Sequence, residues 1–209
     1  MLCRRISSGI AFGVSALAVL VVWAADNTAQ AEYTVTLSEV GSNVVANGSG
    51  SLDLADLVRN SSGLETGSAI IGPSSGTIVT GPVSATVEDI YEGYVGPAAF
   101  GSGNFTPAST GSGDLAGIDA LVGYIYVPNG YVSGTVLSAA TDTWTNKTFA
   151  DLGVTPGTYT WTWGSGVDAD SFVLNIEAPV AVPEPASLSI FGLALLSLVA
   201  LRHRHRKVV

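Results

Sequence analysis

Residues 186–201 contain no charged side chain and are followed directly by a basic cluster. This combination limits the environments in which the C-terminal segment can fold. A helix over the run would be about 24 Å long, a little short of the ~30 Å hydrocarbon core of a bilayer. The basic side chains can reach headgroups and hold this end on the cytoplasmic side. They are Arg202, Arg204, Arg206 and Lys207. We therefore expect a transmembrane helix at about residues 186–201 and a basic cytoplasmic tail at residues 202–209; a buried core helix is the alternative.

The opposite end of the chain has the pattern of a secretory signal peptide. A basic start is followed by an apolar stretch at residues 10–25, and small side chains stand at Ala29 and Ala31. These are the two positions that a signal peptidase reads. We predict a signal peptide at residues 1–31, cleaved after Ala31. An uncleaved anchor and a cut near residues 24–25 are the alternatives.

Between the two apolar segments lies a body at residues 32–181, an ordinary length for one domain. It carries fifteen acidic side chains against only Arg59 and Lys147, a net charge of about −13. Affinity for nucleic acid comes from clustered lysine and arginine that release counterions. The composition therefore excludes nucleic acid as a partner.

The body contains no cysteine and no histidine, because Cys3 precedes it and His203 and His205 follow it. Disulfides, zinc sites built on these residues and catalytic relays that use imidazole are thereby excluded. We expect no enzymatic activity and no cofactor. Glycoside hydrolysis by a pair of carboxylates stays open as an alternative, although fifteen scattered acidic residues always supply some pair.

Short runs in which apolar and polar residues alternate predict β-strands. The clearest run is residues 158–163, and other predicted strands lie at residues 33–37, 83–87, 121–127, 131–137 and 171–176. Turns rich in glycine and proline separate these runs at short intervals. We expect an all-β chain with a single β-sandwich-like domain, flanked by the signal peptide and the C-terminal transmembrane helix. A β-solenoid is the alternative, but no fixed repeat period is present.

One helical turn is predicted near residues 148–152. Asn146 or Thr148 can cap its first turn, and Gly153 and Pro156 can end it.

Two local features suggest ligands. Asp168 and Asp170 stand two residues apart in a predicted loop, and oxygen-rich loops bind calcium, although the full spacing of an EF-hand is missing. We treat them as a weak calcium candidate beside the alternative of a polar hairpin tip.

The aromatic residues of the body offer a second candidate site. They could form a sugar-stacking platform, but aromatic rings that alternate with threonine are also typical of a strand that faces a core. We favour the core interpretation. The residues concerned are Tyr124, Tyr126, Tyr131, Trp144, Tyr159, Trp161 and Trp163.

The C-terminal segment resembles a known sorting signal. Pro183, Glu184 and Pro185, within a motif at residues 182–186, precede an apolar run that contains Gly192 and ends in the basic cluster. This order of parts, over residues 182–209, is similar to the PEP-CTERM signal, which is also catalogued as an ice-binding protein C-terminal domain.

The resemblance implies an exported bacterial protein. Such proteins are held briefly in the inner membrane, processed near the Pro-Glu-Pro motif by an exosortase-type enzyme, and passed to the envelope or the extracellular matrix. We therefore expect a structural or interaction component of that matrix. Binding of an exopolysaccharide is the alternative function.

Overall fold

The computed structural model describes residues 31–179, and these residues form thirteen β-strands, two short 3-10 helices and one short α-helix. The 3-10 helices are Pro73–Ser75 and Gly166–Asp168, and the α-helix α1 is Phe149–Leu152. The all-β prediction is confirmed for the described residues.

The strands lie in two sheets. The first has six strands, in the order β12 (Gly157–Trp163), β13 (Asp170–Ile176), β1 (Glu32–Val40), β2 (Asn43–Ser51), β11 (Val136–Trp144) and β8 (Thr110–Ser112). Within this first sheet β1 and β13 pair in parallel, whereas the other neighbours are antiparallel. The strand nearest the C-terminal end of the described chain therefore lies beside the first one.

The second sheet has seven strands and is antiparallel throughout. Their order is β3 (Val58–Gly67), β6 (Thr86–Glu92), β10 (Tyr124–Pro128), β9 (Ala116–Asp119), β5 (Thr77–Thr80), β4 (Ile70–Gly72) and β7 (Thr106–Pro107).

One hydrophobic core joins the two sheets. Alternation in β1 buries Tyr33, Val35 and Leu37, and the same cluster contains Ile118 and Ile125 from the second sheet. Full burial of an aliphatic side chain of this size contributes about 1.5–3 kcal/mol. The inner faces of both sheets therefore pack on each other.

Local sequence signals located several elements correctly. The predicted strands at residues 33–37, 158–163 and 171–176 lie within β1, β12 and β13. The predicted helical turn is also confirmed. Thr148 caps α1 through a capping box with Asp151, and Gly153 ends the helix in the left-handed conformation.

The predicted strand at residues 131–137 is wrong over most of its length, because β11 begins only at Val136. The preceding segment is a turn that is bound to a distant part of the chain. The Tyr131 hydroxyl donates to the Leu52 carbonyl at 3.2 Å, Gly134 N donates to the same carbonyl at 2.8 Å, and Leu54 N donates to Ser133 Oγ. These long-range hydrogen bonds replace the ladder that the alternation predicted.

Two other predicted strands begin later than expected. The strand predicted at residues 83–87 starts at Thr86, and the one predicted at residues 121–127 starts at Tyr124. At the second site the chain turns at Gly123, whose φ of +80° favours glycine.

None of the helices at residues 31–179 is long and apolar enough to cross a membrane. The predicted transmembrane helix, its basic tail and most of the predicted signal peptide lie outside the described residues.

Candidate functional site

The residues predicted to direct export and sorting lie largely beyond the described part of the chain. This holds for Pro183, Glu184 and Pro185, for the basic cluster after residue 201, and for Ala29. Ala31 is described and directly precedes β1. The predicted cleavage after Ala31 would leave all of β1, and so the centre of the first sheet, in the mature body.

The two calcium candidates differ in environment. Asp168 ends a 3-10 helix and is half-buried, whereas Asp170 is buried at the start of β13. The Asp170 carboxylate accepts hydrogen bonds from Asp53 N at 2.5 Å and Ser171 N at 2.6 Å. Burial raises the pKa of Asp170 to about 6. Among residues 31–179 there is no group of three or more His, Cys, Asp or Glu that could hold a metal ion. Calcium binding here stays a prediction.

The tryptophans point into the core. Trp144, Trp161 and Trp163 are all buried, and each indole N–H donates to a backbone carbonyl at 2.9, 3.0 and 2.6 Å respectively. Trp161 also meets Phe172 edge-on, with ring centroids 5.9 Å apart. The core interpretation is confirmed for these three residues, and none of them is available to stack on a sugar.

Two tyrosines of the predicted aromatic set, Tyr124 and Tyr126, lie instead on the outer face of the second sheet. They alternate in β10 with Ile125 and Val127, which belong to the core. Their rings meet edge-on at 6.3 Å. Residues paired across antiparallel strands share a face, so the partners of these tyrosines line the same outer surface.

This outer surface contains a cavity of about 270 Å³, which we call the outer pocket. Its polar lining includes Thr77, Glu88, Asp119 and Tyr126. Its apolar lining includes Ile70, Val79 and Phe105. The strands β3, β4, β5, β6, β9 and β10 all contribute, so the outer pocket is assembled from segments far apart in the sequence.

The two carboxylates of the outer pocket have different surroundings. Asp119 pairs with Tyr124 on one side and Thr77 on the other. Its Oδ1 accepts hydrogen bonds from the Thr77 hydroxyl at 2.9 Å and from Leu121 N at 3.0 Å. Glu88 is fully buried in β6, and a Cβ atom on Gly67 would come within 1.8 Å of Glu88 Oε2. A side chain at residue 67 would therefore displace the Glu88 carboxyl group.

Burial and neighbouring negative charge raise the pKa of two tyrosines near Asp119. Burial raises the pKa of Tyr126, and the negative charges of Asp119 and Glu88 raise it further. Burial followed by the charge of Asp119 likewise raises the pKa of Tyr94, whose hydroxyl donates to the Asp119 carbonyl at 2.9 Å. Both hydroxyls therefore stay protonated and can donate or accept hydrogen bonds at neutral pH.

The two basic residues of the body lie away from the outer pocket. Arg59 forms an ion pair with Asp89. Asp89 follows Glu88 in β6 and so faces the opposite side of the sheet. Lys147 lies between β11 and α1. No residue that lines the outer pocket in the described chain carries a positive charge.

A second surface is formed by the outer face of the first sheet. Thr158, Thr160 and Thr162 of β12 are exposed, and the neighbouring strands continue the polar surface across the sheet. We call it the threonine face. Its other polar members are Thr34, Thr36, Asn47, Ser49, Thr141, Ser171 and Asn175.

Sequence reasoning missed the outer pocket for a physical reason. In the analysis of the sequence, Glu88 and Asp119 counted only toward the acidic charge of the body. The alternation of Tyr124 and Tyr126 with buried residues could have placed the tyrosines on an outer face. Nothing local indicates that β6 and β9 flank β10, which is what brings the two carboxylates together.

Comparison with known proteins identifies the C-terminal segment. Residues 181–207 match the family model of the PEP-CTERM protein-sorting motif. No curated protein and no solved structure matches the chain. The resemblance seen in the sequence is confirmed, and the motif indicates an exported protein that is held by a C-terminal membrane anchor and processed by an exosortase-type enzyme.

Proposed function

We propose, from the PEP-CTERM sorting motif at residues 181–207, that this chain is a non-enzymatic structural or interaction component of the bacterial envelope or extracellular matrix. The motif is the observation that carries the proposal. In this scheme the signal peptide directs export, the apolar run holds the precursor in the inner membrane, and processing releases the β-rich body.

Processing at the Pro-Glu-Pro triplet is tested by replacing its acidic residue. In a bacterium that contains an exosortase, Glu184→Ala should leave a full-length precursor in the membrane fraction. Glu177→Ala removes an exposed carboxylate seven residues upstream and serves as the matched control. Immunoblots of membrane, envelope and medium fractions provide the readout. Release of Glu184→Ala to the same extent as the control would contradict recognition of this motif.

The basic cluster is proposed to keep the end of the chain in the cytoplasm. Replacing Arg202, Arg204, Arg206 and Lys207 together by serine should move the C-terminus toward the periplasm, because cytoplasmic positive charge sets orientation. A C-terminal tag probed by protease in spheroplasts reports its side. A tag that stays protected would show that the apolar run alone sets the topology.

The threonine face supports an interaction role for the body. Its hydroxyl and amide groups are presented on adjacent strands; for example, the Thr141 hydroxyl donates to Asn47 Oδ1 at 3.2 Å. Such groups can each donate to and accept from a polar polymer. This observation favours exopolysaccharide binding as a second candidate function.

Binding through the threonine face is tested with a bulky charged substitution. Thr36→Lys together with Thr160→Lys should reduce retention of the body on purified exopolysaccharide by about tenfold, since two hydrogen-bonding groups of this face are lost. Thr145→Lys, at an exposed turn after β11, is the matched control. Equal retention of both variants and the unaltered body would contradict a role for this face.

The proposal that the chain is not an enzyme is tested by an assay for hydrolysis of polysaccharide and by a variant of the outer pocket. Glu88 and Asp119 line one cavity, and a pair of carboxylates is the machinery of most glycoside hydrolases. The chain should release no reducing ends from envelope or matrix polysaccharide. Hydrolysis that disappears in Glu88→Gln would overturn the non-enzymatic assignment and favour the glycosidase.

A further inference from the structure

The outer pocket has the size of a small-molecule site. Its cavity of about 270 Å³ is close to the lower end of the ~300–1,000 Å³ that is typical of ligand pockets. The walls are partly apolar, from Ile70 and Val79, and the polar groups converge from separate strands. Concave sites with apolar walls and a few fixed polar groups are typical of ligand binding.

The charge in this cavity has one sign. Glu88 and Asp119 are both acidic, and the lining residues include no basic side chain. Arg59 is engaged with Asp89 on the opposite side of β6. Because charges interact more strongly at a partly buried site than in water, a ligand that brings positive charge is favoured over a neutral one of the same shape.

The aromatic groups add to this preference. Phe105 lines the outer pocket while about half of its surface, 49 %, is exposed, and Tyr126 lines the pocket from β10. Aromatic faces attract organic cations, most effectively where water is excluded. Acidic groups combined with aromatic walls suit an ammonium group on an organic body better than a bare metal ion.

We propose that the outer pocket binds a small organic molecule through a protonated amino group, with Glu88 and Asp119 as counter-charges and Phe105 and Tyr126 as the aromatic wall. This inference goes beyond the structural role proposed above. It also does not depend on the sorting motif.

Two amines test whether the amino group belongs to an amino sugar or to a free amine. Isothermal titration calorimetry on the full-length chain in a neutral detergent at pH 7 would use glucosamine and cadaverine, with glucose and 1,5-pentanediol as uncharged counterparts. We expect each amine to bind at least about tenfold more tightly than its counterpart, as loss of a charge-assisted contact predicts. Tighter glucosamine binding would identify an amino sugar as the source, and tighter cadaverine binding a free amine.

Variants connect the binding to this cavity. Asp119→Asn should weaken amine binding by about tenfold. Ser68→Lys places an internal ammonium group at the pocket lining and should abolish binding without removing either carboxylate. Ser49→Lys adds the same charge to an exposed position on the other sheet and should leave the affinity unchanged. Circular dichroism of each variant verifies the fold.

Three results would overturn the proposal. These are binding of glucose as tight as that of glucosamine, undiminished amine binding by Ser68→Lys, or binding of calcium chloride alone with no response to either amine. The sorting proposal is tested by fractionation, so failure of one leaves the other standing.

Discussion

Replacement of the buried Asp142 by asparagine should stabilise the body in a pH-dependent manner. Asp142 points from β11 into the interior, and both carboxylate oxygens lie near one donor, Gly81 N, at 3.3 and 3.2 Å. Burial, opposed only in part by this hydrogen bond, raises the pKa of Asp142 to about 7. Asparagine preserves the shape and an acceptor for Gly81 N but removes the charge.

The magnitude follows from proton linkage. The Asp142 carboxyl has a pKa of 3.8 without the fold and about 7 within it, so folding takes up a proton between these values. Its stabilising contribution is complete below pH 3.8 and is lost as the pH rises through about 7. At about 1.4 kcal/mol per pH unit, the loss reaches about 4 kcal/mol. Asp142→Asn should therefore match the unaltered body near pH 3.5 and exceed it by about 4 kcal/mol near pH 8.

Urea unfolding of residues 32–181 at a series of pH values measures this difference. Emission of the buried tryptophans, Trp144, Trp161 and Trp163, reports the transition. Asp170 titrates in the same direction in both proteins and cancels from the comparison. The exposed Asp56→Asn should give a difference near zero. An offset for Asp142→Asn that does not change with pH, or a variant less stable at pH 8, would refute the reasoning.

Three further predictions concern stability. Asp89→Asn should destabilise the body by about 2–3 kcal/mol at pH 7, because Asp89 is buried and accepts a charge-assisted hydrogen bond from Arg59. Burial raises the pKa of Asp89, but hydrogen bonds from Gly130, Ser62, Asn129 and Arg59 lower it overall, so the difference should shrink as the pH falls below 3.8. Trp161→Ala should cost about 3–5 kcal/mol, because a buried indole leaves a cavity. If Asp168 and Asp170 bind calcium, millimolar calcium should raise the melting temperature of the body, and a chelator should reverse the rise.

Each of these has its own control. For Asp89 the exposed Asp56→Asn again provides the reference, and an unchanged difference at low pH would contradict the ion-pair account. Trp161→Phe should recover part of the stability lost in Trp161→Ala, and a neutral Trp161→Ala would argue against the core assignment. Asp168→Asn should abolish any rise in melting temperature with calcium. If calcium does not change the melting temperature of the unaltered body, the predicted calcium site is refuted.

Several strands and the helix could be predicted from the sequence because the patterns that indicate them are local. Apolar and polar residues alternate over five or more residues in β1, β12 and β13. Burial alternates in the same way in the structure, because one face of each strand packs on the core. The cap at Thr148 needs only the residues that follow it, so α1 was also predicted. The error at residues 131–137 arose where hydrogen bonds to Leu52 and Leu54, about eighty residues away, override the local pattern.

By itself, the sequence determined the sorting motif, the acidic character of the body and its all-β class. These properties depend on composition and on short stretches of chain, so they can be recognised without knowing which distant segments pair. Tertiary structure alone decided which carboxylates are buried, which aromatic rings reach the outer surface, and that Glu88, Asp119 and Tyr126 line one cavity. The reason is that strand order and register bring together residues from six strands, and no local pattern encodes that pairing.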